Sequence, residues 1–242
     1  MIANALFSRQ SKAKGFTLLE LLIVITILAI LAVIIIFVLN PAETLRKSRD
    51  VQRLSDLATL KNAISLYTTT TTTPQLDGNS GTVNDKCNNG TAANEELWVS
   101  ATEAITDTTP PSGWVQAAAR WEQPASVSAA SAVDGTGWIP VALSSISGGS
   151  PISNMPLDPT NDVSIATGSD TSTAADVNNG ALMYRYACDK TNVVYEINAR
   201  MESTAFGTSS TDDNKASKDG GNNPLLYEVG TLLTILPGTN DF

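Results

Sequence analysis

Residues 16–39 read FTLLELLIVITILAILAVIIIFVL and contain a single charged side chain, the carboxylate of Glu20. As a helix rising about 1.5 Å per residue, this stretch is about 36 Å long and can cross a hydrocarbon core of about 30 Å. A secretory signal has a shorter apolar region, of about 7 to 15 residues, followed by a small-x-small cleavage site. The residues directly after the span, Asn40-Pro41-Ala42-Glu43, contain no such site. The pattern therefore predicts a transmembrane helix that is retained and that carries one acid needing an explanation.

Apolar residues continue beyond the span at a different spacing. They recur every three or four positions, as on one face of a helix, with Arg53, Asp56, Lys61 and Ser65 between them: Leu54, Leu57, Leu60, Ile64 and Tyr67. A proline inside a helix removes one backbone hydrogen bond and kinks it. We therefore predict one helix of about 50 residues, bent or loosened near Asn40 and Pro41.

The composition excludes several kinds of chemistry. The chain has no histidine, so a Ser-His-Asp or Cys-His nucleophile and a histidine-ligated zinc site are impossible within it. No pair of acids has a recognisable catalytic spacing, and we predict that the protein is not an enzyme. The net charge of −9 disfavours phosphate binding, so no direct nucleic-acid partner is expected.

Two cysteines, Cys87 and Cys188, are too far apart in the sequence for a metal knuckle or a CxxC redox motif. If the domain lies outside the cytoplasm, a disulfide between them is the natural interpretation, because oxidising compartments favour it. If the domain lies inside, both are buried free thiols.

The segment KGFTLLELLIVITILAIL, residues 14–31, closely resembles the processing site of type IV prepilins and the related pseudopilins. In that family a short basic leader ends in glycine, phenylalanine follows, and a glutamate stands five residues into the mature chain. Here the leader is residues 1–15, ending in Lys14 and Gly15, the mature chain starts at Phe16, and Glu20 occupies the matching position.

The resemblance implies a function and a set of partners. A prepilin peptidase cleaves after Gly15, Lys14 helps to hold the leader in the cytoplasm, and Phe16 becomes N-methylated. A membrane assembly platform then adds the subunit to other pilin or pseudopilin subunits in an extracellular or periplasmic filament. Before assembly the chain is a single-pass protein in the lipid of the cytoplasmic membrane, with its head outside. The alternative is a monomeric, membrane-anchored surface binding module.

Glu20 has two interpretations. In a monomer it lies near the helix N-terminus, where it reaches the interface and interacts favourably with the helix dipole. In a polymer it neutralises the α-amine of Phe16 of the next subunit and sets the axial register. Both remain open on the sequence alone.

The predicted fold class is α+β: a long N-terminal helix, transmembrane in its first half and amphipathic in its second, packs on a C-terminal antiparallel β-sheet head with long loops. The segments are residues 16–39, the amphipathic half at 40–67, a threonine-rich linker at 68–80 and the head at 81–242. The clearest hairpin is LMYRYACDKTNVVYEINARME, in which residues 193–200 alternate as in a half-buried strand. Residues 137–143 and 227–236 are further strand candidates.

Two groups of head residues suit ligand binding. Asp158, Asn161 and Asp162 offer hard oxygen ligands for calcium at a proline turn, and the second acidic group is Asp212, Asp213 and Asp219. Solvated turn carboxylates explain both groups more simply, so no cofactor is predicted and calcium is a speculative addition. The loop MPLDPTN and the strand YRYACD resemble those of major pseudopilin heads, but Thr160 and Asn161 depart from that pattern.

The four tryptophans are the remaining candidates: Trp98, Trp114, Trp121 and Trp138. They suit sugar stacking, yet such residues are more often core or half-buried sheet partners, which is our prediction.

Overall fold

The computed structural model describes residues 15–78, 84–88, 95–102, 120–162, 181–210, 213–236 and 238. The chain divides into two compact units between Thr44 and Leu45, and each is described by itself. The predicted α+β class is confirmed, because a long N-terminal helical region precedes a five-stranded sheet.

Two helices separated by one residue replace the predicted bent helix: α1 at Leu18–Leu39 and α2 at Pro41–Thr70. Asn40 has a left-handed φ of 38°, a conformation that ends helices and that asparagine tolerates. Its carbonyl accepts from the amide of Thr44 at 3.2 Å, so the same residue starts α2. Pro41 is the first helical residue, where its missing N–H costs nothing. The disturbance predicted at Asn40 and Pro41 is therefore present, as a full interruption.

Helix α2 continues three residues past Tyr67, where we predicted the linker of residues 68–80 to begin. The hydroxyls of the threonines in its last turn donate to the carbonyls of Ser65 and Leu66 at 2.7 to 3.0 Å. Hydrogen bonding back to the preceding turn satisfies these β-branched side chains within a helix. The linker prediction was therefore wrong for residues 68–70.

The sheet has the order β2-β1-β3-β4-β5. Its strands are β1 at Glu96–Val99, β2 at Arg120–Glu122, β3 at Tyr184–Asp189, β4 at Val194–Arg200 and β5 at Leu226–Gly230. A one-turn helix, α3, at Val127–Ala130 and a 3-10 turn at Leu143–Ser145 follow β2. The predicted hairpin is confirmed as β3 and β4.

The sheet is mixed, which corrects the antiparallel prediction. β1 and β2 pair in parallel, whereas the other three pairings are antiparallel. Parallel neighbours need a long crossover, and residues 100–119 provide that length.

The main core lies between α2 and one face of the sheet, which we call the inner face. Leu57, Leu60 and Ile64 of α2 are fully buried there. The sheet contributes alternate residues of β3 and β4: Tyr184, Tyr186, Cys188, Tyr195, Ile197 and Ala199. These partners confirm the amphipathic interpretation of α2.

The opposite, outer face of the sheet is also buried, so the prediction of a half-buried strand for residues 193–200 was wrong. Leu97, Val99 and Ala187 lie on this face in a second apolar cluster, which Ile235 and Leu236 help to cover. The polar residues of β4 on this face are consequently buried as well, as described below.

Only one of the two further strand candidates forms a strand. Residues 137–143 are buried but irregular, because Pro140 lacks an N–H for ladder pairing. Residues 227–236 begin as β5, but the strand ends at Gly230, where an added Cβ would lie 2.2 Å from the Tyr195 carbonyl oxygen. The chain then folds across the outer face.

Candidate functional site

The N-terminal segment of the described chain is exposed and apolar. Phe16 is 84% exposed, and the large apolar side chains of α1 that the structure describes form no buried face in the single chain. Among the described residues, the helical region Leu18–Thr70 contains the one stretch long and apolar enough to span a membrane. Lys14 lies outside the described residues, and the roles of Lys14, Gly15 and Phe16 in cleavage stay predictions.

Glu20 closes a capping box at the start of α1. Its backbone N–H donates to the Thr17 hydroxyl at 3.2 Å, and its Oε2 accepts from the Thr17 N–H and hydroxyl, both at 2.9 Å. The spacing Thr-x-x-Glu before an apolar run is the sequence signature of this cap, and our sequence analysis missed it. No described residue donates to the other oxygen, Oε1. The cap therefore uses one of the two carboxylate oxygens, Oε2.

A buried ion cluster joins α2 to the head, and we call it the Arg53 cluster: Arg49, Asp50, Arg53, Asp158 and Glu202. The guanidinium of Arg53 donates to both oxygens of Asp158 at 2.6 and 2.8 Å. It also contacts Asp50 at 2.8 Å and Glu202 at 2.6 Å, and its side chain is 0% exposed. Arg53 therefore forms ion pairs with three carboxylates, which lie on α2, in the turn at residue 158 and after β4.

Sequence analysis placed Arg53 between the apolar positions of α2, but it lies on the buried face. The signal was present, because residues 50, 53, 57, 60, 64 and 67 continue one helical period. The first two positions of this period are charged, and charged side chains are ordinarily exposed, so the pattern alone does not mark them as buried.

The cluster shifts the pKa of its members in opposite directions. Burial alone would raise the pKa of Glu202, but hydrogen bonds from Arg49 and Arg53 outweigh burial and lower it to about 2, from an ordinary 4.5. Burial alone would lower the pKa of Arg53, yet Asp158 and Glu202 raise it above its usual value. The stability contributed by Glu202 is therefore present above pH 4.5 and is lost as the pH falls towards 2.

The residues proposed for calcium have protein partners in this structure. Asp158 binds Arg53, and its Oδ1 also accepts the backbone N–H of Thr160 at 2.8 Å. The side chain of Asn161 exchanges two hydrogen bonds with Ser100. Asp162 forms an isolated β-bridge with Leu182. Calcium binding at this turn stays a prediction.

The members of the second acidic group also have separate protein partners. Asp213 pairs with Lys215 at 2.9 Å, and Asp219 accepts the backbone N–H of Glu228 at 2.7 Å. Asp212 lies outside the described residues. Within the described part of the chain, no group of three His, Cys, Asp or Glu side chains is arranged to hold a metal ion.

Two buried carboxyl groups lie close together on the outer face of the sheet, Glu196 on β4 and Glu228 on β5. Oε2 of Glu196 accepts the amides of Ile235 and Leu236 at 2.9 and 3.0 Å, and Oε2 of Glu228 accepts the amide of Asn223 at 3.0 Å. Each Oε1 is buried without another donor in the described part of the chain, and the two carboxyl groups interact with each other. We expect one of the two groups to keep a proton and donate it to the other, which would satisfy both oxygens.

This pair predicts that the head loses stability as the pH rises above 4.5. Burial first, and then the interaction with Glu228, raises the pKa of Glu196 to about 9 from 4.5. The folded chain keeps this proton at pH values where the unfolded chain has released it. The free energy of unfolding should therefore fall by up to about 1.4 kcal/mol per pH unit as the pH rises from 4.5 towards 9. Chemical denaturation of the full-length protein in detergent at a series of pH values measures the slope.

The matched variant is Glu196→Gln, which replaces the shared proton with a permanent amide donor. We expect its stability to vary much less with pH above 5 than that of the wild type, with a residual slope from Asp219, whose pKa burial also raises. Because the chain has no histidine, no side chain with an ordinary pKa titrates near neutral pH and adds its own pH dependence to the measured stability. A wild-type curve as flat as that of Glu196→Gln would contradict the shared proton.

Cys87 and Cys188 form a disulfide, with their Cα atoms 4.8 Å apart and both side chains fully buried. The bridge holds residues 84–88 beside the end of β3, where the amide of Asn88 donates to the Cys188 carbonyl at 2.8 Å. A disulfide of this kind persists in oxidising compartments.

The tryptophans that the structure describes are core residues, as predicted. Trp98 and Trp138 belong to the inner-face core, and Trp121 belongs to the outer-face cluster. The indole N–H of Trp138 donates to the Pro156 carbonyl at 2.9 Å. Trp114 lies outside the described residues.

Comparison with known proteins gives one match. Residues 10–36 match the family model of the prokaryotic N-terminal methylation motif. No curated protein and no solved structure matches the chain. The matched region contains Gly15, Phe16, Thr17 and Glu20.

This motif is the prepilin signal of type IV pilins and pseudopilins. The match supports a type IV pilin-like or pseudopilin-like precursor, and together with the apolar helix it supports a membrane-anchored, single-pass protein. Such a signal implies processing by a peptidase and, in general, assembly with other pilin subunits.

Proposed function

We propose that the protein is a structural subunit of a type IV pilus or pseudopilus filament, polymerised through its N-terminal helix. One observation carries the proposal: within the matched prepilin signal, Glu20 keeps one carboxylate oxygen, Oε1, without a donor from the described chain. Cleavage after Gly15 creates an α-amine four residues away in sequence, and the same amine on a neighbouring subunit can donate to Oε1.

The surface of α1 supports polymerisation. The large apolar side chains that the structure describes on α1 are exposed all around the helix, so a bundle of such helices can replace lipid contacts with helix contacts. Burying an unpaired carboxylate inside that bundle has a large desolvation free energy, and pairing with an amine offsets much of it.

The partners and the orientation follow from the same proposal. A prepilin peptidase removes residues 1–15, an assembly platform in the membrane adds the subunit, and the cytoplasmic membrane holds it beforehand. The head lies outside the cytoplasm, which the Cys87–Cys188 disulfide supports because it requires an oxidising compartment.

The test is mass spectrometry of filaments sheared from the native cells and collected by sedimentation. We expect the recovered chain to begin at Phe16 and to carry one N-methyl group. Gly15→Val should block cleavage because its side chain prevents close approach of the backbone to the peptidase, whereas Ala13→Val, within the leader, should be processed.

Two outcomes would oppose this proposal in different ways. A wild-type chain that retains residues 1–15 would contradict processing. A processed chain found only as a detergent-soluble monomer would instead favour the membrane-anchored binding module.

A further inference from the structure

Three lysine side chains gather around one aromatic ring where α2 meets the loop after β4. The ammonium group of Lys47 lies 5.4 Å from the centroid of the Phe206 ring, and that of Lys215 lies 4.9 Å from the same centroid. The ammonium groups of Lys215 and Lys218 both lie near the carboxylate of Asp213, at 2.9 and 3.8 Å. Lysines from two distant segments are therefore neighbours, and we call Lys47, Phe206, Lys215 and Lys218 the Phe206 patch.

Hydrogen bonds hold the loop of this patch on α2. The carboxylate of Asp50 accepts the amide of Ser203 at 2.8 Å, and the carbonyl of Phe206 accepts the amide of Lys215 at 3.0 Å. Lys47 lies three positions before Asp50, on the same side of α2, and is exposed where Asp50 is buried. The fold therefore places the loop lysines beside the first exposed turns of α2.

The patch is positively charged on the surface of an acidic chain. The net charge of the chain is −9, but the three carboxylates of the Arg53 cluster, which lies next to the patch, are at most 6% exposed and bind Arg53. Lys47 is exposed, and the side chains of Lys215 and Lys218 are 26% and 55% exposed. The charges that reach the solvent here are therefore mainly cationic.

Asp213 offsets part of this charge. Its pKa is lowered, chiefly by the hydrogen bond from Lys215 and also by the charges of Lys218 and Lys47, as expected for an acid surrounded by three lysines. Even with Asp212 counted, which adjoins it in the sequence, the lysines outnumber the acids. An excess of positive charge remains for a ligand.

The patch also lies close to the membrane span along the sequence. Helix α1 ends at Leu39, and Lys47 is eight positions further on. From Pro41 to Lys47 a helix rises about 9 Å, and the headgroup region extends about 5–8 Å beyond each side of the hydrocarbon core. Charges attract across a Debye length of about 8 Å at physiological ionic strength, and a lysine side chain extends towards the interface. Arg46 and Glu43, which precede Lys47 on α2, carry opposite charges.

We propose that the Phe206 patch binds the phosphate headgroups of anionic phospholipids in the membrane that anchors the chain. The inference rests on membrane anchoring and not on filament assembly. Ammonium groups donate charge-assisted hydrogen bonds to phosphate oxygens, and the ring of Phe206 suits the boundary between headgroups and acyl chains. The acidic remainder of the head is repelled by the same lipids, so binding through the patch turns this edge of the head towards the bilayer.

The test uses the full-length protein in nanodiscs that contain phosphatidylcholine and phosphatidylglycerol. Native mass spectrometry counts the lipids of each kind that stay on the released chain, and their ratio is compared with that of the bilayer. We expect phosphatidylglycerol to be enriched at least about tenfold on the wild type, because each lysine near the surface contributes about fivefold. Retention of the two lipids in the ratio of the bilayer would overturn the proposal.

Variants locate the bound lipid. Lys47→Gln and Lys215→Gln should each lower the enrichment about fivefold, whereas Lys47→Arg should keep it. Asp213→Asn should raise the enrichment, because it removes the acid among the lysines while leaving the three cations in place. The control is Lys61→Gln, which changes an exposed cation further along α2 and should behave like the wild type.

Three further results would contradict the inference, each in its own way. Enrichment that Lys47→Gln and Lys215→Gln leave unchanged would place the lipid elsewhere on the chain. Loss of self-association in detergent by these variants, with lipid retention unchanged, would show that the patch contacts the acidic surface of a second copy. A native chain absent from the membrane fraction would overturn the anchoring itself. The wild-type comparison decides even where a variant folds poorly.

Discussion

The variant Glu20→Gln is expected to be cleaved, inserted and capped normally, yet to reduce recovery in filaments at least about tenfold. Glutamine keeps an oxygen that accepts from Thr17, so the start of α1 is preserved. It loses the negative charge that, in the proposed filament, neutralises the α-amine of Phe16 on a neighbouring subunit. In a medium of low dielectric constant, an amine without a counter-charge is costly, and assembly should fail.

Two further variants separate the charge from the helix cap. Thr17→Val removes the capping partner but leaves the carboxylate, and we expect it to assemble. Glu20→Val removes both and should fail like Glu20→Gln. Immunoblots of sheared filaments and of membranes, from cells without a wild-type copy, measure assembly and processing separately. If Glu20→Gln assembled normally while Thr17→Val and Glu20→Val both failed, Glu20 would be a helix cap and nothing more.

The variant Arg53→Met is expected to lower the free energy of unfolding by about 3–5 kcal/mol. Arg53 is the shared donor of Asp50, Asp158 and Glu202, and methionine leaves their charges buried without it. Chemical denaturation of the full-length protein in detergent at pH 7 measures the loss. Arg53→Lys should also be destabilised, because an ammonium group cannot bind Asp158 in the bidentate geometry.

Two controls test whether the loss comes from the buried carboxylates. One changes an exposed cation of the same helix, and the other removes one of the carboxylates that Arg53 binds. Lys61→Met changes an exposed cation of α2 and should alter stability by less than about 0.5 kcal/mol. Adding Asp158→Asn to Arg53→Met should restore part of the loss, because it removes one of the uncompensated charges. An Arg53→Met protein as stable as Lys61→Met at neutral pH would show that the cluster contributes little.

Much of the architecture could be predicted because it depends on local patterns. The 24-residue apolar span, the helical spacing from Leu54 to Tyr67 and the hairpin around residues 189–192 each carry their signal within a few turns or strands of sequence. The prepilin signal is equally local, because it occupies residues 10–36.

The features that the sequence pattern does not predict depend on contacts between segments that are distant in the sequence. The burial of Arg53 requires Asp158, which lies 105 residues away, and the shared proton of Glu196 requires β5. Alternation along β4 correctly separated the two faces, but it could not reveal that residues 235 and 236 would cover the outer one. The parallel strand β2 is three residues long and carries too short a pattern to be recognised.

The disulfide joins Cys87 to Cys188, 101 positions further along the sequence, and so closes a covalent ring that contains strands β1 and β2. A single proteolytic cut anywhere in that ring leaves both ends of the nicked chain attached through the sulfur atoms. Exposed loops in this part of the head can therefore be cleaved without releasing a fragment. In the proposed filament, this ring would keep each head in one piece after a single cut by a protease.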